Sequence, residues 1–219
     1  MTISTTNNNK TRTTKEAKIR MNQPETQVNV VNKGTGAGGN QTNLNGKQWE
    51  AYTCNISTLI ENGFVHTNGY LTKKYESYEC IYLTQGGLKR YFRKNHGIEM
   101  HRNPDEAYLI KKNDGTLVLK VLEKKFQNVE GSVIDKLQTY MVMIQEYKRV
   151  LKTLNVTISY AYCLSPFLKN KLDCCRENVT PQNQKFVIWN ELFDENSIGI
   201  FYGGDEDYFV KLNSWINDF

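Results

Sequence analysis

The sequence predicts an α/β chain, a mixed sheet flanked by helices, and three observations predict it. Two apolar runs meet at Lys112-Asn113-Asp114-Gly115, residues that tolerate positive φ, which is a hairpin signal. An amphipathic run from about Val133 to Leu151 precedes a β-branched and aromatic run, Val156 to Leu164, as a helical crossover precedes a parallel strand. Helical apolar spacing recurs near both ends, in Lys47 to Glu61 and Tyr208 to Phe219. Together these suit an α/β sandwich with a mixed sheet.

Residues 1–30 are Thr, Asn, Lys and Gln with almost nothing apolar, so they are expected to form a mobile basic tail. Residues 31–219 are read as one domain. Gly34-Thr35-Gly36-Ala37-Gly38-Gly39 has the spacing of a dinucleotide fingerprint, but no strand precedes it, and Asn40 to Asn45 is read as non-helical. What remains is a loop with little side-chain bulk, able to approach a ligand closely. Lys47 to Glu61 reads as a single helix with Trp49, Ile56, Leu59 and Ile60 on one stripe, ended by Asn62-Gly63. A strand is expected at Glu79 to Leu83. Gly86-Gly87 then opens a basic helix, Leu88 to His96, where Lys89 and Arg93 share one face and Arg90 and Lys94 another. After the hairpin, Ser132 is expected to cap the long helix, with Asp135 completing a capping box. Pro166 to Asn183 reads as an irregular connection, Lys185 to Leu192 as a strand, Ile198 to Tyr202 as a strand and Tyr208 to Phe219 as a helix.

A chain of 219 residues can bury one sizeable core. Its net charge of +5 is compatible with a phosphate-rich partner. The five cysteines are odd in number, lack CxxC spacing and have only His66, His96 and His101 beside them, which excludes a convincing zinc site or disulfide framework. No apolar run is long enough to span a bilayer, and no apolar signal core opens the chain. The expectation is a soluble protein of the cell interior.

The chemistry concentrates in Asn103 to Gln127. Side chains alternate along a strand, so Leu119, Val121, Glu123, Lys125 and Gln127 share one side. A carboxylate and an amine at the end of a hydrophobic strand are costly to bury. If Asp105 of the partner strand comes close, two acids and a lysine converge. Two carboxylates suit a hard cation such as Mg²⁺, which takes few protein ligands and keeps several waters. The lysine can then orient or activate a water, or neutralise charge building on a phosphate. Glu106 adjoins Asp105 and Lys124 adjoins Lys125, and alternation lets only one of each pair face the site.

Pro104-Asp105 followed by Glu123-Lys124-Lys125 on the next strand resembles the signature of the PD-(D/E)XK nuclease superfamily. The glycine-rich stretch from Gly34 to Asn43, with Gly46 and Trp49-Glu50, looks like the amino-terminal signature of its type II restriction endonucleases, small enzymes of bacteria and of large DNA viruses of algae. The resemblance implies a restriction-endonuclease-like core and Mg²⁺-dependent cleavage of duplex DNA. It implies Asp105 and Glu123 as metal ligands, Lys125 as the residue that positions or deprotonates the attacking water, Gln127 as an orienting neighbour and Glu50 as an auxiliary acid. Gly36, Gly38, Gly39, Asn40, Thr42, Asn43, Lys89, Arg90 and Arg93 are the expected DNA contacts. A homodimer reading a palindromic site, and a DNA methyltransferase acting on the same site, are implied as partners. Two other functions fit parts of the sequence: a structure-specific repair or junction nuclease, and a DNA-binding module without catalysis.

Overall fold

A computed structural model describes residues 39–129, 131–177 and 179–219; side chains are described within these ranges except at 39–43 and 174–177. The element order is α1 (Gly39–Tyr52), α2 (Ile56–Glu61), β1 (Val65–Thr67), β2 (Tyr70–Lys74), β3 (Tyr78–Thr84), α3 (Gln85–His96), β4 (Glu106–Lys112) and β5 (Leu117–Lys125). A 3-10 turn (Ile134–Thr139) leads into α4 (Tyr140–Val150), then β6 (Val156–Leu164), α5 (Pro166–Glu177), α6 (Gln184–Glu195), β7 (Gly199–Tyr202) and α7 (Tyr208–Asn217). The strands form one seven-stranded sheet in sequence order. β1 to β5 pair antiparallel, whereas β5, β6 and β7 run parallel, so the sheet is mixed and the α/β class holds.

Alternation along the central strands sends residues into two cores, one on each face. Ala107, Leu109, Leu119, Val121, Tyr160 and Tyr162 pack beneath α3, α4, α5 and α6, whose Leu88, Phe92, Tyr147, Leu172 and Phe193 close over them. Tyr108, Ile110, Val118, Leu122, Ala161 and Cys163 face the other way, against Trp49 of α1, Leu59 of α2 and Leu212 of α7. A sheet buried on both faces explains why β4 and β5 read as near-continuous apolar runs. The expected hairpin forms. Gly115 takes φ +86° and Asp114 Oδ1 accepts the Thr116 N–H at 2.8 Å, while Lys112 N–H donates to Thr116 O at 2.9 Å.

Several expectations are overturned. Asn40 to Asn45 is helical, as part of α1. The helix expected over Lys47 to Glu61 breaks at Thr53 to Asn55 into α1 and α2. Gly86 and Gly87 lie inside the first turn of α3 instead of ahead of it. Ser132 caps no helix; the chain enters through the 3-10 turn. The irregular connection over Pro166 to Asn183 is mostly α5, with Pro166 in its first turn, where a missing N–H costs nothing, and Leu168 and Leu172 facing inward. The strand expected over Lys185 to Leu192 is α6: Phe186, Trp189, Asn190 and Phe193 are buried, a helical spacing that overrides the β preference of Val187 and Ile188. The tail expected over residues 1–30 lies outside the described residues, as do Gly36 and Gly38.

Candidate active site

The antiparallel register of β4 and β5 ends with Glu106 opposite Leu122. One step further along that register sets Asp105, just before β4, opposite Glu123. Alternation then divides the adjacent acids and lysines. Asp105, Glu123 and Lys125 share the side of Leu119 and Val121, whereas Glu106 and Lys124 share the side of Tyr108 and Leu122.

The two sets have different surroundings. Lys125 Nζ donates to Glu123 Oε2 at 2.7 Å, with the lysine side chain 24% and the glutamate 15% exposed. Asp105 Oδ2 accepts the Lys124 backbone N–H at 2.7 Å, and Asp105 Oδ1 accepts the Gln85 amide at 3.2 Å. The carboxylate is thus oriented from β5 and from the first residue of α3. On the other face, Lys124 Nζ donates to Glu106 Oε1 at 2.7 Å, both side chains being 2% exposed. That pair is sealed from solvent. Glu106 Oε2 accepts the Tyr108 hydroxyl at 2.7 Å and Oε1 accepts the Asn55 N–H at 3.3 Å.

Glu50 joins the first set from α1. Burial, then repulsion from Asp105, holds its carboxyl above the ordinary carboxylate value, while Lys124 and Lys125 pull the other way. Burial likewise holds Glu123 above the ordinary value; Lys125 opposes this, Asp105 adds to it, and Arg102 opposes it weakly. Asp105 thus bears electrostatically on both Glu50 and Glu123 at the end of the sheet, and burial adds most of the strain on those two carboxyls. A divalent cation relieves such strain. Among the described residues no group of three His, Cys, Asp or Glu side chains is arranged to hold a metal ion. Mg²⁺ does not demand one: it binds through one or two carboxylates and keeps waters elsewhere. The hard oxygens of Asp105 and Glu123 fit that ion.

Gln127 takes another part than the one expected. It is 6% exposed, and its amide donates to Val129 O at 2.7 Å and Gly131 O at 3.1 Å while its Oε1 accepts the Ile134 N–H at 3.0 Å. All of these bonds go to the loop after β5, so Gln127 secures the entry to the 3-10 turn. Of the expected DNA contacts, Gly39, Asn40, Thr42 and Asn43 lie on the helical backbone of α1. Lys89, Arg90 and Arg93 lie on α3, whose Leu88, Tyr91 and Phe92 are buried beneath. Arg93 is engaged with Glu99, Nη2 donating to Oε2 at 2.6 Å. Arg90 folds back over Gly86: a Cβ there would sit 3.0 Å from its Nη1.

Three neighbours went unread in the sequence. Gln85 has no motif to mark it. Arg102, two residues before Pro104, pairs with Glu146 of α4 and bears on Glu123. Tyr147 of α4 has its hydroxyl raised by burial and by Glu123. Only tertiary packing brings α3 and α4 to the strand ends.

No family model matches the chain, and comparison with curated proteins and with solved structures likewise gave no match. The geometry therefore carries the functional reading alone. A concavity of about 820 Å³ between β7 and α7 contains none of these residues.

Proposed function

We propose that this chain is a Mg²⁺-dependent endonuclease of the restriction-endonuclease-like kind, hydrolysing phosphodiester bonds of duplex DNA at a specific sequence. The observation that carries the reading is the placement of Asp105, Glu123 and Lys125 on one side of neighbouring strand ends, with Glu50 beside them. Asp105 and Glu123 would hold the cation, which when bound would supply Lewis-acid stabilisation of charge on the phosphoryl oxygens. Lys125, fixed by Glu123, positions the attacking water opposite the leaving oxygen. The water oxygen bonds to phosphorus, the P–O3′ bond breaks, and a 5′-phosphate and a 3′-hydroxyl result. Glu50 adds a carboxylate, held above its ordinary value by burial and Asp105, as an auxiliary acid. Lys89, Arg90 and the exposed turns of α3 meet the phosphate backbone. A homodimer places one such site on each strand of a palindromic sequence, and a methyltransferase acting on the same sequence would protect the host DNA.

The test is incubation of the purified protein with long duplex DNA, with and without Mg²⁺, beside Lys125→Ala. Discrete bands that need both the metal and Lys125 are expected. Cutting confined to branched or flapped DNA would assign a structure-specific nuclease instead, and DNA binding without cleavage under any divalent metal would assign a binding module.

A further inference from the structure

Beside the proposed active site lies a charged pair that the reaction does not use. Lys124 and Glu106 are each 2% exposed and 2.7 Å apart. A buried ion pair of this kind is seldom worth its desolvation cost for stability alone, and apolar replacements are often as stable. What distinguishes this one is where the rest of its hydrogen bonds go. Lys124 Nζ also donates to Glu50 O at 3.1 Å and Thr53 O at 3.0 Å, the carbonyls at the carboxyl end of α1. Glu106 Oε1 receives the Asn55 N–H at 3.3 Å, across the break between α1 and α2. Thr53 Oγ1 donates to Trp49 O at 2.7 Å, Tyr208 OH to Thr53 O at 3.2 Å and Asn55 Nδ2 to Tyr108 OH at 3.2 Å. The end of α1 is thus gripped by the strand residues that alternate with the proposed metal ligands. Lys124 stands between Glu123 and Lys125, and Glu106 follows Asp105.

We infer that Lys124 and Glu106 are positioning residues, a buried bolt that fixes Glu50 of α1 against the Asp105–Glu123–Lys125 centre. The inference rests on the proposed metal-dependent reading. Lys124 N–H holds Asp105 Oδ2 while Lys124 Nζ holds the backbone of Glu50, so one residue sets both acids. A helix end without its carbonyl partners is free to swing, and a carboxylate moved by 1 Å at such a site loses most of its effect.

The test uses the full chain and Mg²⁺ alone, titrated by calorimetry, with thermal melting in parallel. Lys124→Met by itself leaves Glu106 buried and unpaired and is expected to fold poorly, so the informative variant is Lys124→Met with Glu106→Gln. That pair removes both charges and keeps the volume. The folded double variant is expected to bind Mg²⁺ roughly 10- to 100-fold more weakly than wild type, the usual cost of losing outer partners of metal ligands. Glu50→Gln should weaken binding in the wild-type background and cost nothing further in the double variant. In cleavage assays the double variant should lose kcat while KM for DNA stays unchanged. Wild-type affinity in the folded double variant, or an equal cost of Glu50→Gln in both backgrounds, overturns the bolt and leaves the metal centre standing. Absence of saturable Mg²⁺ binding by the wild-type chain overturns both.

Discussion

Glu123 carries the conflict of the site in one residue. Its carboxyl stays above its ordinary value even with the Lys125 ammonium at 2.7 Å, because burial and Asp105 together outweigh that partner. A raised carboxyl pKa means that the folded chain holds this proton to higher pH than the unfolded chain. Stability from this group is therefore lost as pH climbs from about 4.5 through the raised value, and the penalty persists at neutrality. Glu123→Gln should accordingly melt at a higher temperature than wild type at pH 7, with the difference vanishing below pH 4, while cleavage is abolished. A variant that melts lower at pH 7 would show that the Lys125 pair dominates instead. Gln127 presents the opposite case, a polar residue with nothing to spare for chemistry. Gln127→Ala leaves three backbone groups of the following loop without their partner and should cost about 1–3 kcal/mol in denaturant unfolding. Its effect on cleavage should follow from that loss of stability, with full activity regained at low temperature.

At the level of the element, α1 and α3 show how the site is assembled from both sides of the sheet. α1 ends at Tyr52 because Lys124 and Glu106 claim its last carbonyls and the N–H beyond them, and Gly203 lets it close in. A Cβ at Gly203 would sit 2.4 Å from Thr53 Cγ2, so only a residue without a side chain allows the turn after β7 to pass under α1. α3 comes from the other face. Its first residue, Gln85, holds Asp105, and its basic residues lie further along the same helix. At 1.5 Å per residue, Arg90 begins roughly 7 Å beyond Gln85 along the helix, a distance suited to a phosphate near the scissile one. Arg90→Ala and Lys89→Ala should each weaken DNA binding regardless of sequence and flatten the slope of log K against log salt by about one. A change in site preference without a change in slope would assign these residues to base reading.

At the scale of the whole molecule, the sheet supplies rigidity, and on the proposed reading a bound cation would supply the opposing charge. Central strands buried on both faces hold the ends of β4 and β5 in fixed register, so Asp105 and Glu123 are kept opposite each other whether or not a cation is present. Mg²⁺ at about a hundred times its Kd should then stabilise the fold by about 2.7 kcal/mol, which for a chain of this size raises Tm by roughly 5–10 °C. Asp105→Asn should remove that increment without unfolding the protein. Lys120 gives the molecule a second pH dependence. Set in β5 with its ammonium on the carbonyls of Trp215 and Asp218, it is lowered by burial to about 8. Stability from this group is thus expected to rise as pH increases from about 8 towards 10.5, the reverse of the carboxyl trend. No helix among the described residues is long and apolar enough to cross a membrane.

The sequence by itself determined the hairpin, its turn, the parallel strand after the crossover and the two acids and lysine on one side of it. Those features are local: a turn residue's tolerance of positive φ and a strand's two-residue period are legible wherever the chain folds. It did not show Gln127's bonds to the loop after β5, ran α1 and α2 together, and read α5 and α6 as loop and strand. In each case the deciding partner lies far along the chain. Glu106 and Lys124 break the first helix, the core beneath α6 selects helix over a β-rich composition, and the loop backbone after β5 claims Gln127. Only the tertiary structure also separated the two lysines and the two acids by environment, one pair sealed and one partly exposed, because burial belongs to packing and alternation gives direction alone.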